Sequence, residues 1–148
     1  MSSFELAQLN IALMNEPLES PGMKEFVDNL ERINQLAESS PGFVWRLQTD
    51  EGDATALRPF GEDYLVNISV WEDVESLRQY VYRSAHVDVM KRRKEWFQKA
   101  QDAYTVLWWI EAGHRPNAYE AKKKLQLLRE RGATSKAFTF KQPFPHPT

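Results

Sequence analysis

The sequence predicts an α+β fold, an antiparallel sheet carrying helices, and three observations predict it. Segments whose apolar residues recur every second position alternate with segments where they recur every third and fourth. One strand presents a second face that is too apolar for open solvent and too polar for a plain core. Cysteine is absent, and no apolar run approaches the ~20 residues of a transmembrane helix, so neither a disulfide scaffold nor a bilayer span competes with a packed core.

Phe4 to Leu13 alternates, with Ala7, Leu9, Ile11 and Leu13 on one face and Leu6, Gln8, Asn10 and Ala12 on the other, the period of a strand. Ser20 is a helix N-cap with Pro21 at the first helical position, and Met23, Phe26, Val27, Leu30, Ile33 and Ala37 form one apolar stripe that stops before Pro41-Gly42. Phe43 to Gln48 reads as a second strand. Thr49 to Asp63, with Gly52, Pro59 and Gly61, reads as a long connection. Tyr64 to Trp71 is a third strand, and Asp73 caps a helix with Val74, Leu77 and Val81 toward the core.

Ser84 restarts that helix, and Val89, Met90, Arg93, Trp96 and Phe97 keep helical spacing, so the region is one bent helix or two short ones. Tyr104 to Glu111 is a strand apolar on both faces. Asn117 and Glu120 start a last helix through Ala121, Leu125 and Leu128, which Gly132 ends. A short strand from Lys136 to Phe140 and a Pro-rich tail over 141–148 finish a chain of 148 residues, the size of one domain burying roughly two thirds of its unfolded surface.

The order β-α-β-β-α-β, followed by α-β, matches a ferredoxin-like unit with an added C-terminal helix and strand. On the third strand Tyr64, Val66, Ile68 and Val70 suit a helix-covered core, whereas Leu65, Asn67, Ser69 and Trp71 need another cover. Two such sheets facing each other in a homodimer supply it, closing a dimeric α+β barrel.

Composition narrows the partners. A formal net charge of −2 gives no electrostatic argument for nucleic acid, and Lys91-Arg92-Arg93-Lys94 and Lys122-Lys123-Lys124 read as solvated helix faces. The start Met1-Ser2-Ser3-Phe4 lacks the pattern of a signal peptide, so a cytoplasmic protein without membrane attachment is expected. His86, His114 and His146 include no i, i+4 pair, and no metal site is expected.

With Ser69-Val70-Trp71-Glu72 and Tyr80…Ser84-Ala85-His86, this order of elements resembles the dimeric α+β barrel superfamily of antibiotic-biosynthesis and haem-degrading monooxygenases. Val81 to Pro145, including Trp108-Trp109 and Phe138-Thr139-Phe140, resembles a family of domains of unknown function within it. The resemblance implies a pocket between the sheet and the helical segment Tyr80 to Arg93. It also implies a cofactor-independent monooxygenase acting on a small aromatic or polyketide-like molecule, with oxygen reacting directly with a substrate carbanion. His86 is then the base, since an imidazole titrates near neutral pH, Asn10 and Asn67 donate to the developing oxyanion, and Trp71 and Tyr80 form walls. Met90 borders the pocket, and Arg93 on that face suits an anionic group.

Haem is the alternative cofactor, since Asn10 and Tyr80 fit the haem-degrading pattern, but Met90 stands where that pattern has a histidine. A non-enzymatic ligand-binding or structural dimer is the alternative class, because the chain has no nucleophile elbow, phosphate loop or zinc signature.

Overall fold

A computed structural model describes residues 3–48, 55, 57–82, 84–99 and 102–147, excepting the side chains of 84, 85, 86 and 89. Much of the expected long connection, 49–54 and 56, and the side chain of His86 therefore lie outside the described residues. Among the described residues four strands, β1 (Phe4–Leu13), β2 (Phe43–Arg46), β3 (Tyr64–Trp71) and β4 (Thr105–Glu111), form one antiparallel sheet in the order β2-β3-β1-β4. Among the described residues five helices accompany them: α1 (Lys24–Glu38), α2 (Val74–Val81), α3 (Ser84–Lys91), α4 (Arg93–Trp96) and α5 (Ala118–Arg131). The architecture is α+β, and with α2–α4 taken as one helical segment the chain through β4 runs in the ferredoxin-like order β-α-β-β-α-β. No helix among the described residues is long and apolar enough to cross a membrane.

Local chemistry accounts for the boundaries. Asp73 Oδ1 accepts from the Ser76 amide at 2.7 Å and Asn117 Oδ1 from the Glu120 amide at 2.8 Å, each capping its helix. Ser20 makes no such cap, and a 3₁₀ turn, Pro21–Met23, leads into α1 instead. At Gly132 the backbone turns to φ 71°, a conformation that favours glycine, and the Gly132 amide closes α5 on the Leu128 carbonyl at 2.8 Å.

Two expectations are corrected. β2 ends at Arg46 rather than at 48, with one further bond from the Leu47 amide to the Ile68 carbonyl. After α2 the helical region from Ser84 takes the second of its two expected forms, the short helices α3 and α4. The strand expected at Lys136–Phe140 is reduced to a bridge, in which Phe138 and Leu107 exchange both backbone bonds at 2.9 Å before the chain bends away.

The larger correction concerns the two faces of the sheet. Register places Ala7, Leu9 and Ile11 beside Val70, Ile68 and Val66, with Val106, Trp108 and Ile110 across β1. This face is helix-covered, as expected, and the helix is α5, through Ala121, Leu125 and Leu128. The mixed face of Leu65, Asn67, Ser69 and Trp71, expected to meet a partner's sheet, lies beneath this chain's own α1, α2 and α4 and Phe138. The reason is complementarity: a uniformly apolar sheet face packs flush with a helix stripe, whereas the amide-bearing face leaves space beneath its helices.

Candidate functional site

That space is a cavity of about 670 Å³ between the mixed sheet face and the helices. Strand alternation sends Gln8, Asn10 and Ala12 from β1 and Leu65, Asn67 and Ser69 from β3 into its floor. Phe26, Leu30 and Ile33 of α1, Tyr80 and Val81 of α2, and Met90 of α3 form its roof.

A polar stripe crosses the floor. Gln8 Nε2 donates to Ser69 Oγ at 2.8 Å and to Asn67 Oδ1, and Trp71 Nε1 donates to the same Ser69 oxygen at 2.8 Å. Beside it, Asn10 Nδ2 donates to Thr105 Oγ1 at 2.8 Å. These contacts fix which atoms serve the cavity. With Asn67 Oδ1 turned to Gln8, the Asn67 amide group presents Nδ2, a donor, away from the network. Ser69 accepts twice, so its hydroxyl proton is left to donate. No buried side-chain nitrogen or oxygen among the described residues lacks a partner, as stable burial requires.

One end of the cavity is aromatic. Trp71 is fully buried, wedged edge-on by Phe43 at 5.4 Å and stacked by Tyr80 at 5.1 Å. An incoming ligand therefore meets Tyr80, with Trp71 as its backing. Desolvation pushes the Tyr80 hydroxyl up to about 12, so at neutral pH it is a protonated donor and not a base. At the other end, the Arg93 guanidinium lies 4.8 Å from the Tyr104 ring centre and 5.4 Å from that of Phe97, cation–π contacts that leave its donor edge available. Arg93 forms no ion pair among the described residues.

Six of the residues singled out from sequence, Asn10, Asn67, Trp71, Tyr80, Met90 and Arg93, line this one cavity. His86 belongs to α3, one helical turn before Met90, and its side chain is not described. Sequence reasoning did not assign Gln8, Ser69 or Thr105 to the site, although polar residues at alternate positions of otherwise apolar strands were the available signal. It also missed Phe140 and Lys141, which reach the cavity from beyond α5. The described lining departs from the haem-degrading pattern, since the Met90 thioether stands in place of an imidazole.

A family model described as a domain of unknown function, DUF3291, matches residues 5–148, and the chain belongs to that family. No curated protein matches significantly. A conserved protein from Methanosarcina mazei Go1 shares the fold, with 14% identity and a TM-score of 0.50 over 74% of this chain and 93% of that one. The cofactor-independent oxygenase SnoaB from Streptomyces nogalater is 17% identical, with a TM-score of 0.45 over 75% of this chain and 95% of its own. A Nitrosomonas europaea protein named as an antibiotic biosynthesis monooxygenase candidate is 7% identical, with a TM-score of 0.49 over 79% of this chain and 97% of its own.

Proposed function

We propose that this member of the DUF3291 family is a cofactor-independent monooxygenase acting on a small aromatic or polyketide-like molecule. The observation that carries the reading is the amide and hydroxyl stripe across the floor of an otherwise apolar, aromatic-ended cavity, a surface suited to holding a flat substrate while hydrogen-bonding its oxygens.

In this reading a base removes a proton from an acidic carbon of a phenolic substrate. Asn67 Nδ2 and the Ser69 hydroxyl donate to the oxygen on which the resulting charge spreads, and Asn10 flanks them. The carbanion adds dioxygen, its electrons going to the new C–O bond, and the peroxide takes up a proton. Loss of water then leaves a carbonyl, so one substrate CH₂ and one O₂ yield one C=O and one H₂O. His86 is the base of this scheme. Arg93 holds an anionic group at the cavity's end, and Tyr80 packs on the substrate's rings. A cytoplasmic homodimer belongs to the same proposal, with half-buried Val44, Trp45 and Leu47 at the β2 side of the α5-covered face as the apolar surface available to a second copy.

The test is oxygen uptake with an anthrone in buffer containing a chelator. Stoichiometric consumption by the wild type and its loss in Asn67→Ala support the reading. Slow uptake equal to buffer alone, with the anthrone still bound, supports the non-enzymatic binding protein instead. A Soret shift on adding haemin that Met90→Leu abolishes would replace both with a haem protein.

A further inference from the structure

After α5 the chain returns as a strap over the side of the cavity between β4 and α2. It is anchored twice. Phe138 exchanges two backbone bonds with Leu107 of β4, and Trp109 Nε1 donates to the Phe144 carbonyl at 2.8 Å. His146 then packs against Trp109 at 5.8 Å and Phe4 at 6.0 Å. Between the anchors, Thr139, Phe140 and Lys141 line the cavity, and Arg78 of α2 lies 6.0 Å from the Phe140 ring centre. Among the described residues no backbone–backbone hydrogen bond ties 139–147 to the rest of the chain. A segment pinned at both ends and packed only through side chains between them takes its position from what those side chains touch.

Charge supplies the chemistry. Of the cations lining the cavity, Arg46 is paired with Glu38 at 2.8 Å, while Arg93 and Lys141 make no ion pair among the described residues. The lining carboxylate Asp102 faces Arg129 at 3.8 Å. Among the described residues the cavity thus presents two positive groups outside any ion pair, one of them delivered by the strap.

We propose that the strap over 139–141 is a specificity-determining wall, in which Phe140 packs on the ligand's ring system and Lys141 receives the anionic group of an aromatic acid. The inference rests on the cavity being the binding site, as argued above, and adds a wall that selects its ligand and a second cation, besides Arg93, for an anionic group.

Two fluorescent probes with one aryl system test it, 8-anilinonaphthalene-1-sulfonate carrying a negative charge and N-phenyl-1-naphthylamine carrying none. Lys141→Gln, at an exposed position, is expected to weaken the sulfonate about fivefold and to leave the neutral probe unchanged. Phe140→Ala is expected to weaken both probes about tenfold. Equal binding of both probes by wild type and both variants overturns the proposal. Ile33→Trp, which fills the cavity, separates the causes. If filling abolishes binding and the strap variants do not alter it, the strap inference alone fails, and if filling leaves binding intact, the cavity reading fails with it.

Discussion

The Trp71 indole donates to the Ser69 hydroxyl at 2.8 Å from two residues along β3, and the Gln8 amide reaches the same oxygen from β1 at the same distance. One small side chain thereby satisfies a fully buried indole and orients the amide that in turn fixes Asn67. Ser69 is therefore the keystone of the polar stripe as well as part of the cavity floor.

Ser69→Ala leaves the fully buried Trp71 donor without its acceptor. The expected loss is about 2 kcal/mol, the cost of an unsatisfied buried donor, measured by urea unfolding. Ser69→Thr, which keeps the oxygen, should recover most of it. A Ser69→Ala protein as stable as wild type would remove the hydroxyl from this role.

Residues 8, 10, 67 and 69 were legible as a stripe because a strand's period is two, and any pairing that keeps the apolar face inward brings them together. Which helix covers which face was not legible. The Ala121, Leu125 and Leu128 stripe demands an apolar partner, but a helical period does not say which sheet face supplies it, and tertiary packing gave α5 the Val66, Ile68 and Val70 side. Nor did local sequence reveal the strap, whose contacts to Leu107, Trp109 and Arg78 join positions far apart in the chain. The break between α3 and α4 falls at Arg92, whose backbone leaves the helical region at φ −93°, ψ 5° while its side chain pairs with Glu25 and Glu95.

The face assignment has a stability consequence. Leu125 is 1% exposed beneath α5, so Leu125→Ala should cost about 3 kcal/mol through lost burial and the void left behind. Leu30 lines a space that already exists, and Leu30→Ala should cost about 1 kcal/mol, losing contact area without creating a new void. Chemical denaturation of the two variants checks the ordering, and a reversed order would place the tightly packed layer on the wrong side of the sheet.

Gly42 joins α1 to β2 at φ +83°, and a Cβ there would stand 2.1 Å from Ser76 Oγ. Its carbonyl also accepts the Glu72 amide at 2.8 Å, fixing the start of α2 against β2. Gly42→Ala should therefore destabilise by more than the ~1 kcal/mol of left-handed strain alone. Thermal unfolding reads it, and an unchanged melting temperature would show that the turn relaxes freely.

Tyr80 links stability to alkaline pH. Burial raises its folded value to about 12 against 10.0 for the free side chain, so between those values the unfolded chain ionises while the folded one holds its proton. Stability present below pH 10 should fall progressively toward pH 12. In Tyr80→Phe that contribution to the decline should vanish. Absorbance at 295 nm through an alkaline titration should show one tyrosine ionising late, and a wild-type and variant pair with identical alkaline profiles would count against its burial.

Asn67 carries the sharpest prediction about chemistry, because Gln8 holds its Oδ1 and so commits its Nδ2 to the cavity. If that N–H stabilises the substrate's developing oxyanion, Asn67→Ala should lower kcat with the anthrone about a hundredfold, as loss of a preorganised donor does elsewhere, with KM changed far less. Asn67→Asp is nearly the same shape but offers no donor and adds a like charge, so it should be at least as slow. Gln8→Leu leaves the amide in place but unheld, which should cost less than either. A wild-type rate in Asn67→Asp would mean that Asn67 contributes shape alone, and the oxyanion donor would then have to be sought in the Ser69 hydroxyl, whose proton is the other one directed away from the network.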